Sequence, residues 1–173
     1  MNPIKTIEQL EEFMCQATAQ EHPKMLRHIE IPKADFELYA TWTDTGYTRN
    51  CLARTDDFEL ILICWPPGIK TPIHNHSNQH CWMYQISGTL TERRYAHLQG
   101  QINPTRESAL CEGQFTYMHD RMGFHSLENT GADRAMSLHI YVAPITQCQI
   151  YNPEKGILEA KEMSYDTAAK TLT

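Results

Sequence analysis

His74 and His76, separated by one residue in the run PIHNHS, have a spacing that suits metal chemistry. On an extended strand, side chains two apart project to the same face, about 6–7 Å apart along the chain. Both imidazoles can then reach one ion. A third ligand must come from elsewhere, and His125 in GFHSLEN is the best-placed candidate, just before another strongly β-forming run. Taken alone, an H-x-H pair is a weak signal, more often a pair of surface or hydrogen-bonded histidines. Tyr47 and Arg49 are also two apart and share a face. A guanidinium offers paired donors that match a carboxylate, although an exposed arginine in a salt bridge has the same local sequence. Ser137, His139 and Tyr141 alternate with apolar Leu138 and Ile140. Facing inward, such a polar row is costly unless it is hydrogen-bonded. The other reading is the polar outer face of an edge strand.

Strands must position these side chains, and after Pro32 the sequence supplies them. Runs rich in β-branched and aromatic residues alternate with turns: 36–40 (FELYA), 58–65 (FELILICW), 80–87 (HCWMYQIS), 89–95 (TLTERRY), 114–118 (QFTYM) and 134–142 (RAMSLHIYV). Many short strands without long alternating helices predict an all-β sandwich or barrel rather than a parallel α/β sheet. Residues 1–33 read as helical. Thr6 to Gln9 has the form of a capping box, and Pro23 suits the first turn of a second short helix ending near His28. The last twenty residues are expected to add a strand and a short helix over one edge. A length of 173 residues fits a single domain, with 36–152 as its β core.

The net charge of -6 is spread along the chain, so no nucleic-acid or membrane surface is expected. No apolar run reaches the ~18 residues of a membrane span. The start MNPIKTIEQLEEF lacks the apolar core of a signal peptide, which predicts a cytoplasmic protein. The six cysteines have irregular spacing and no C-x-x-C. Most are expected to be buried, without a disulfide framework or structural zinc site.

The order of motifs adds a resemblance. Gly68-x5-His74-Asn75-His76-x4-Cys81-x6-Gly88 resembles the first motif of the cupins, and Gly113 to Asn129, with His125-x3-Asn129, resembles the second. The implied fold is an all-β, jelly-roll-type small barrel with the N-terminal helices packed outside. Cupins usually add a glutamate ligand after the H-x-H pair; here Cys81 takes that position. The usual proline of the second motif is also missing, where His119-Asp120-Arg121 stands. Three neutral imidazoles leave a divalent ion its full charge and about three open positions, which favours thiolate binding and oxygen activation at Fe(2+).

More narrowly, YTRN (47–50), CW-PPG-x5-HNH-x4-C (64–81) and H-x2-EN-x7-SLHIY (125–141) resemble the cysteine dioxygenase family from roughly Phe36 to Asn152. The resemblance implies an iron enzyme acting on L-cysteine and O2 to give cysteine sulfinic acid, a monomer, with a place in cysteine breakdown and taurine production. It implies His74, His76 and His125 as the iron ligands, Arg49 and Tyr47 as substrate-carboxylate residues, and Cys148 at the pocket mouth. It further implies a thioether between Cys81 and Tyr141, with Ser137 and His139 as a relay to that tyrosine. In animal members the segment after the tyrosine is Ser-Pro-Pro with a cis bond before the first proline; here it is Val142-Ala143-Pro144, so a cis bond before Ala143 is less secure and the sequence leaves it open. The rivals are a 3-mercaptopropionate or other small-thiol dioxygenase, which carries glutamine for the arginine and lacks the cross-linking cysteine, and a non-catalytic metal- or ligand-binding cupin. Arg49 and Cys81 favour cysteine.

Overall fold

The computed structural model describes residues 2–18 and 21–169. Helix α1 (Ile7–Gln16) begins at Thr6, whose hydroxyl accepts the Gln9 N–H at 3.2 Å. The Gln9 side chain accepts the Lys5 N–H at 2.8 Å, so the expected capping box closes one residue early on its return bond. Helix α2 (His22–Met25) has Pro23 in its first turn and continues into a 3-10 turn over Leu26–His28, as the sequence predicts. Residues 36–40 do not form the expected strand. Lys33–Glu37 is helix α3, which follows Pro32 and carries a Lys33–Glu37 ion pair of 3.3 Å one turn apart. Its fully buried Phe36 serves as a single anchor, which a short apolar run cannot distinguish from strand alternation.

The strands are β1 (Thr48–Arg54), β2 (Phe58–Trp65), β3 (His80–Ser87), β4 (Thr89–Leu98), β5 (Gln101–Cys111), β6 (Phe115–Met118), β7 (Phe124–Asn129), β8 (Ala135–Val142), β9 (Gln147–Asn152) and β10 (Ile157–Glu162). One sheet runs β1-β2-β8-β3-β6, a second β5-β4-β7, and β9 pairs with β10. The irregular segment 68–75 joins the last two groups. It bonds to β7 through Gly68, Thr71 and His74, and to β9 through Asn75 and Ile73. Two antiparallel layers thus enclose an interior, giving the expected small barrel.

Strands β2 and β8 are buried on both faces. Leu60, Leu62, Leu138 and Ile140 pack outward with Leu10, Met14, Met25 and Phe36 of the helices. Ile61, Ile63, Trp65 and Tyr141 pack inward with Cys81, Met83 and Leu127. A strand covered on both sides reads as a continuous apolar run, which explains FELILICW. Each fully buried leucine contributes roughly 1.5–3 kcal/mol. All six cysteines are free; Cys15 and Cys111 are exposed and the other four are buried. After β10 the chain continues extended along β1, with no helix among the described residues, so the expected terminal helix is not found there. No cis peptide occurs among the described residues, and Ala143 has φ 70°. Among these residues no helix is long and apolar enough to cross a membrane.

Gly123 sets the start of β7. It has φ 95°, and a Cβ added there would lie 2.2 Å from the Tyr95 carbonyl oxygen. Both the positive φ and the backbone contact exclude a side chain. Gly123→Ala is expected to lower unfolding free energy by about 2 kcal/mol or more, measured by urea denaturation.

Candidate metal centre

His125 lies within β7, a strand absent from the runs read in the sequence, with β8 following as expected, and its backbone pairs with His74 in both directions at 2.9 Å. This pairing brings the second histidine segment against the first. His74 sits on the irregular segment rather than on a regular strand. His76 follows at its end, where the chain turns through Ser77 (φ 49°) and Asn78 (φ 62°). The ligand nitrogens of His74, His76 and His125 all lie within 4.8 Å of one another. The Nε2 atoms of His76 and His125 are 3.1 Å apart. Two nitrogens each about 2.1 Å from one ion and near a right angle would have such a separation.

Tautomers are set from behind. His74 Nδ1 donates to the Pro72 carbonyl at 2.9 Å. His125 Nδ1 donates to Glu92 Oε1 at 3.0 Å. Both rings therefore present a bare Nε2 lone pair. Burial holds the His74 pKa down to about 4. Burial, followed by the neighbouring rings, keeps His76 and His125 well below the usual imidazole range. Neutral imidazoles with bare Nε2 atoms are what a divalent metal needs, so these residues fit one. Among the described residues no carboxylate joins the group. The position after the pair, where a cupin glutamate would stand, is Cys81 in β3, and burial pushes its thiol far up.

Two supporting acids were not anticipated from the sequence. Glu92 on β4 is buried, accepting also from Arg94 at 3.0 Å and from the Thr116 hydroxyl at 3.1 Å. Asp120 accepts from the backbone N–H of His76 and of Asn78, both at 2.8 Å, and from the Asn75 amide at 3.0 Å. It fixes the turn that aims His76. Glu92 lies in the charged run TERRY and Asp120 in a polar turn, so neither had a local mark of its supporting role. A carboxylate behind a ligand histidine orients the ring and raises its basicity. Glu92→Gln is expected to weaken metal binding about 10- to 100-fold, read by competition with a chelator.

The metal-facing cavity is lined by Tyr47, Arg49, His74, His76, His139, Tyr141 and Cys148, with Ile63, Leu127, Ile145, Ile150 and Met163 as apolar walls. Arg49 is buried on β1, and its Nη2 has no partner. Tyr47 packs its ring 5.2 Å from Trp65, and burial raises its pKa. Cys148 is buried on β9, its sulfur 3.4 Å from that of Met163. Cys81 and Tyr141 are directly opposed across β3 and β8. Burial, then the Cys81 thiol, pushes the Tyr141 phenol well above its ordinary value.

Ser137, His139 and Tyr141 all face inward, as their alternation predicts. The Trp65 indole donates to Ser137 Oγ at 2.9 Å, and Ser137 Oγ lies 3.0 Å from His139 Nε2. Trp65 therefore anchors the row, a role the sequence reading did not include. The His139 and Tyr141 rings stack at 6.4 Å, and His139 Nδ1 is buried without a hydrogen-bond partner. The row is thus tied at its Ser137 end and joined to Tyr141 by ring contact.

Known proteins resemble this chain in fold and in sequence. Solved structures of a Thermus thermophilus protein (TM-score 0.53, 17% identity, 63% of this chain and 94% of that one) and of a Klebsiella pneumoniae protein with a double-stranded β-helix domain (TM-score 0.50, 18% identity, 63% and 86%) have a similar barrel. At those identities they show the fold alone, which is the cupin fold. Cysteine dioxygenase type 1 of Danio rerio is 28% identical over 169 residues, spanning 94% of this chain and 83% of that protein. The Homo sapiens and Rattus norvegicus proteins of that name are 29% and 30% identical over 146 residues, spanning 82% of this chain and 73% of each. The family model for cysteine dioxygenase type I matches residues 1–154, a span that holds every residue of the three-histidine cluster and all but the last strand of the barrel, so the chain belongs to that family.

Proposed function

We propose that the protein is an Fe(2+)-dependent dioxygenase that adds both atoms of O2 to the sulfur of L-cysteine and releases cysteine sulfinic acid. The observation that carries this reading is the donor set: three neutral imidazoles, no acidic ligand, and a buried arginine in the same cavity. When bound, a ferrous ion supplies adjacent open positions for a thiolate and for dioxygen, and the electrons that activate oxygen.

The chain's own residues orient the substrate. Arg49, with a buried unpartnered Nη2, pairs with the cysteine carboxylate. Tyr47 and Tyr141, as phenols, are protonated at neutral pH, and burial raises both further, so each can donate a hydrogen bond toward substrate. Trp65, Ser137 and His139 hold the wall beside Tyr141. Fixing carboxylate and sulfur together makes oxidation effectively unimolecular. The apolar walls from Ile63, Leu127 and Ile150 limit water at the reacting sulfur.

The Cys81–Tyr141 pair supports a thioether between the sulfur and the ring carbon beside the hydroxyl, formed with loss of two hydrogens to dioxygen. Its role is to fix the ring and tune the phenol. Peptide mass spectrometry after aerobic turnover is expected to find the joined peptides two hydrogens lighter than their sum. Cys81→Ser is expected to slow turnover by roughly tenfold without abolishing it.

The same reading has a monomer acting in the cytoplasm on free cysteine, upstream of taurine formation, without nucleic-acid or membrane partners. Oxygen uptake by the ferrous protein tests it. Cysteine should consume oxygen one-for-one with sulfinic acid formed. Equal or faster use of 3-mercaptopropionate would transfer the assignment to that substrate. No uptake with any small thiol would leave a binding protein.

A further inference from the structure

The chain beyond β10 is built onto Arg49. Asp166 bonds the Arg49 backbone twice: its N–H donates to the Arg49 carbonyl at 2.8 Å, and its Oδ2 accepts the Arg49 N–H at 2.7 Å. The Ser164 carbonyl accepts the guanidinium Nε–H at 3.1 Å. One residue each way, the same segment is anchored again. The Tyr165 hydroxyl donates to the buried Glu59 carboxylate and accepts from Arg54 at 2.9 Å. The Thr167 carbonyl accepts the Cys51 N–H at 3.0 Å, and the Thr167 hydroxyl bonds Asn50 Oδ1 at 3.0 Å. This segment therefore adds a short parallel stretch to the open edge of β1. Its first residue, Met163, also walls the cavity.

An arginine side chain has several rotatable bonds, and holding it in one geometry costs rotamer entropy. Here the backbone on both sides and Nε are held by the segment before any substrate arrives, while Nη2 stays buried without a partner. That ordering cost is met during folding rather than on binding. The segment lies outside residues 1–154, the part that the family model matches. We propose that Met163–Thr167 is a strap that presets Arg49, with Asp166 and the Ser164 carbonyl as its positioning groups, so that the enzyme selects thiols that carry a carboxylate. This rests on Arg49 being the carboxylate partner.

The test compares anaerobic binding of L-cysteine and of cysteamine, which has the same thiol and amine but no carboxylate, to the ferrous protein by calorimetry. Asp166→Ala is expected to weaken cysteine binding about tenfold and to change cysteamine binding by less than about twofold. Asp166→Asn, which keeps an acceptor for the Arg49 N–H, is expected to recover most of the loss and covers the case in which the alanine variant folds poorly. Steady-state kinetics should show a raised KM for cysteine with kcat nearly unchanged. Arg49→Ala is the reference. If it lowers cysteine binding selectively while both Asp166 variants leave it unchanged, the strap has no positioning role. Equal losses for both thiols in Asp166→Ala would make the segment a general structural brace and overturn selection. If Arg49→Ala leaves the cysteine-to-cysteamine ratio unchanged, the carboxylate reading itself fails, and the strap proposal with it.

Discussion

Replacing His125 with alanine is expected to leave a folded protein that retains almost no iron and oxidises cysteine at least about 1,000-fold more slowly than the parent. His125 is the ligand that ties the two histidine segments together. Its backbone pairs with His74, its Nε2 lies 3.1 Å from that of His76, and its Nδ1 faces Glu92 at 3.0 Å. Alanine removes the ligand and keeps the β7 backbone pairing. Glu92 keeps Arg94 and Thr116 as partners, so its charge is not stranded. Metal content by elemental analysis and oxygen uptake should fall together, with circular dichroism unchanged. Metal retained at parental stoichiometry would mean that another group serves as the third ligand.

The second large effect is expected at Arg49. Losing one partner of a buried, hydrogen-bonded charge pair costs about 2–5 kcal/mol. Arg49→Ala should therefore lower kcat/KM for cysteine by about 100- to 1,000-fold. Cysteamine, having no carboxylate, should be affected only slightly. Arg49 is buried beside Tyr47 and His74 in the cavity; the strap holds its Nε, and its Nη2 has no partner. Comparable losses for both thiols would indicate that Arg49 supports the fold and does not read the carboxylate.

Much of the barrel is legible in the sequence because its strands carry two-residue periodicity or are apolar on both faces. β3 occupies 80–87 and β2 occupies 58–65, matching the runs read there. Ser137, His139 and Tyr141 face inward because β8 is regular, and alternation is reliable in a regular strand. Other elements leave weaker traces. β5 is a largely exposed edge strand that contains Pro104, and a proline within a run argues against a strand unless it lies at an edge or bulge. The Arg94/Tyr95 irregularity in its partner is such a place. The 36–40 run has one buried aromatic anchor, and a short helix can bury that as well as a strand.

In the candidate site, the three histidines could be read from spacing, but their supports could not. Glu92 and Asp120 are ordinary acids in polar stretches, and only the fold brings one behind His125 and the other beneath His76. Trp65 reads as a core residue, which it is, yet its indole N–H also anchors Ser137. The strap at Met163–Thr167 lies 114 or more positions after Arg49, and contacts across that separation have no local signature.

Iron-edge X-ray absorption on the anaerobic ferrous protein, before and after adding L-cysteine, tests the metal centre most directly. The arrangement predicts a first shell of imidazole nitrogens and light water-type ligands with no sulfur at the start, and one sulfur after cysteine is added. Sulfur in the starting spectrum would mean that a cysteine of the chain, Cys81 or Cys148, closes the metal. No sulfur after saturating cysteine would mean that the thiol does not bind there, and either result would contradict the proposed chemistry.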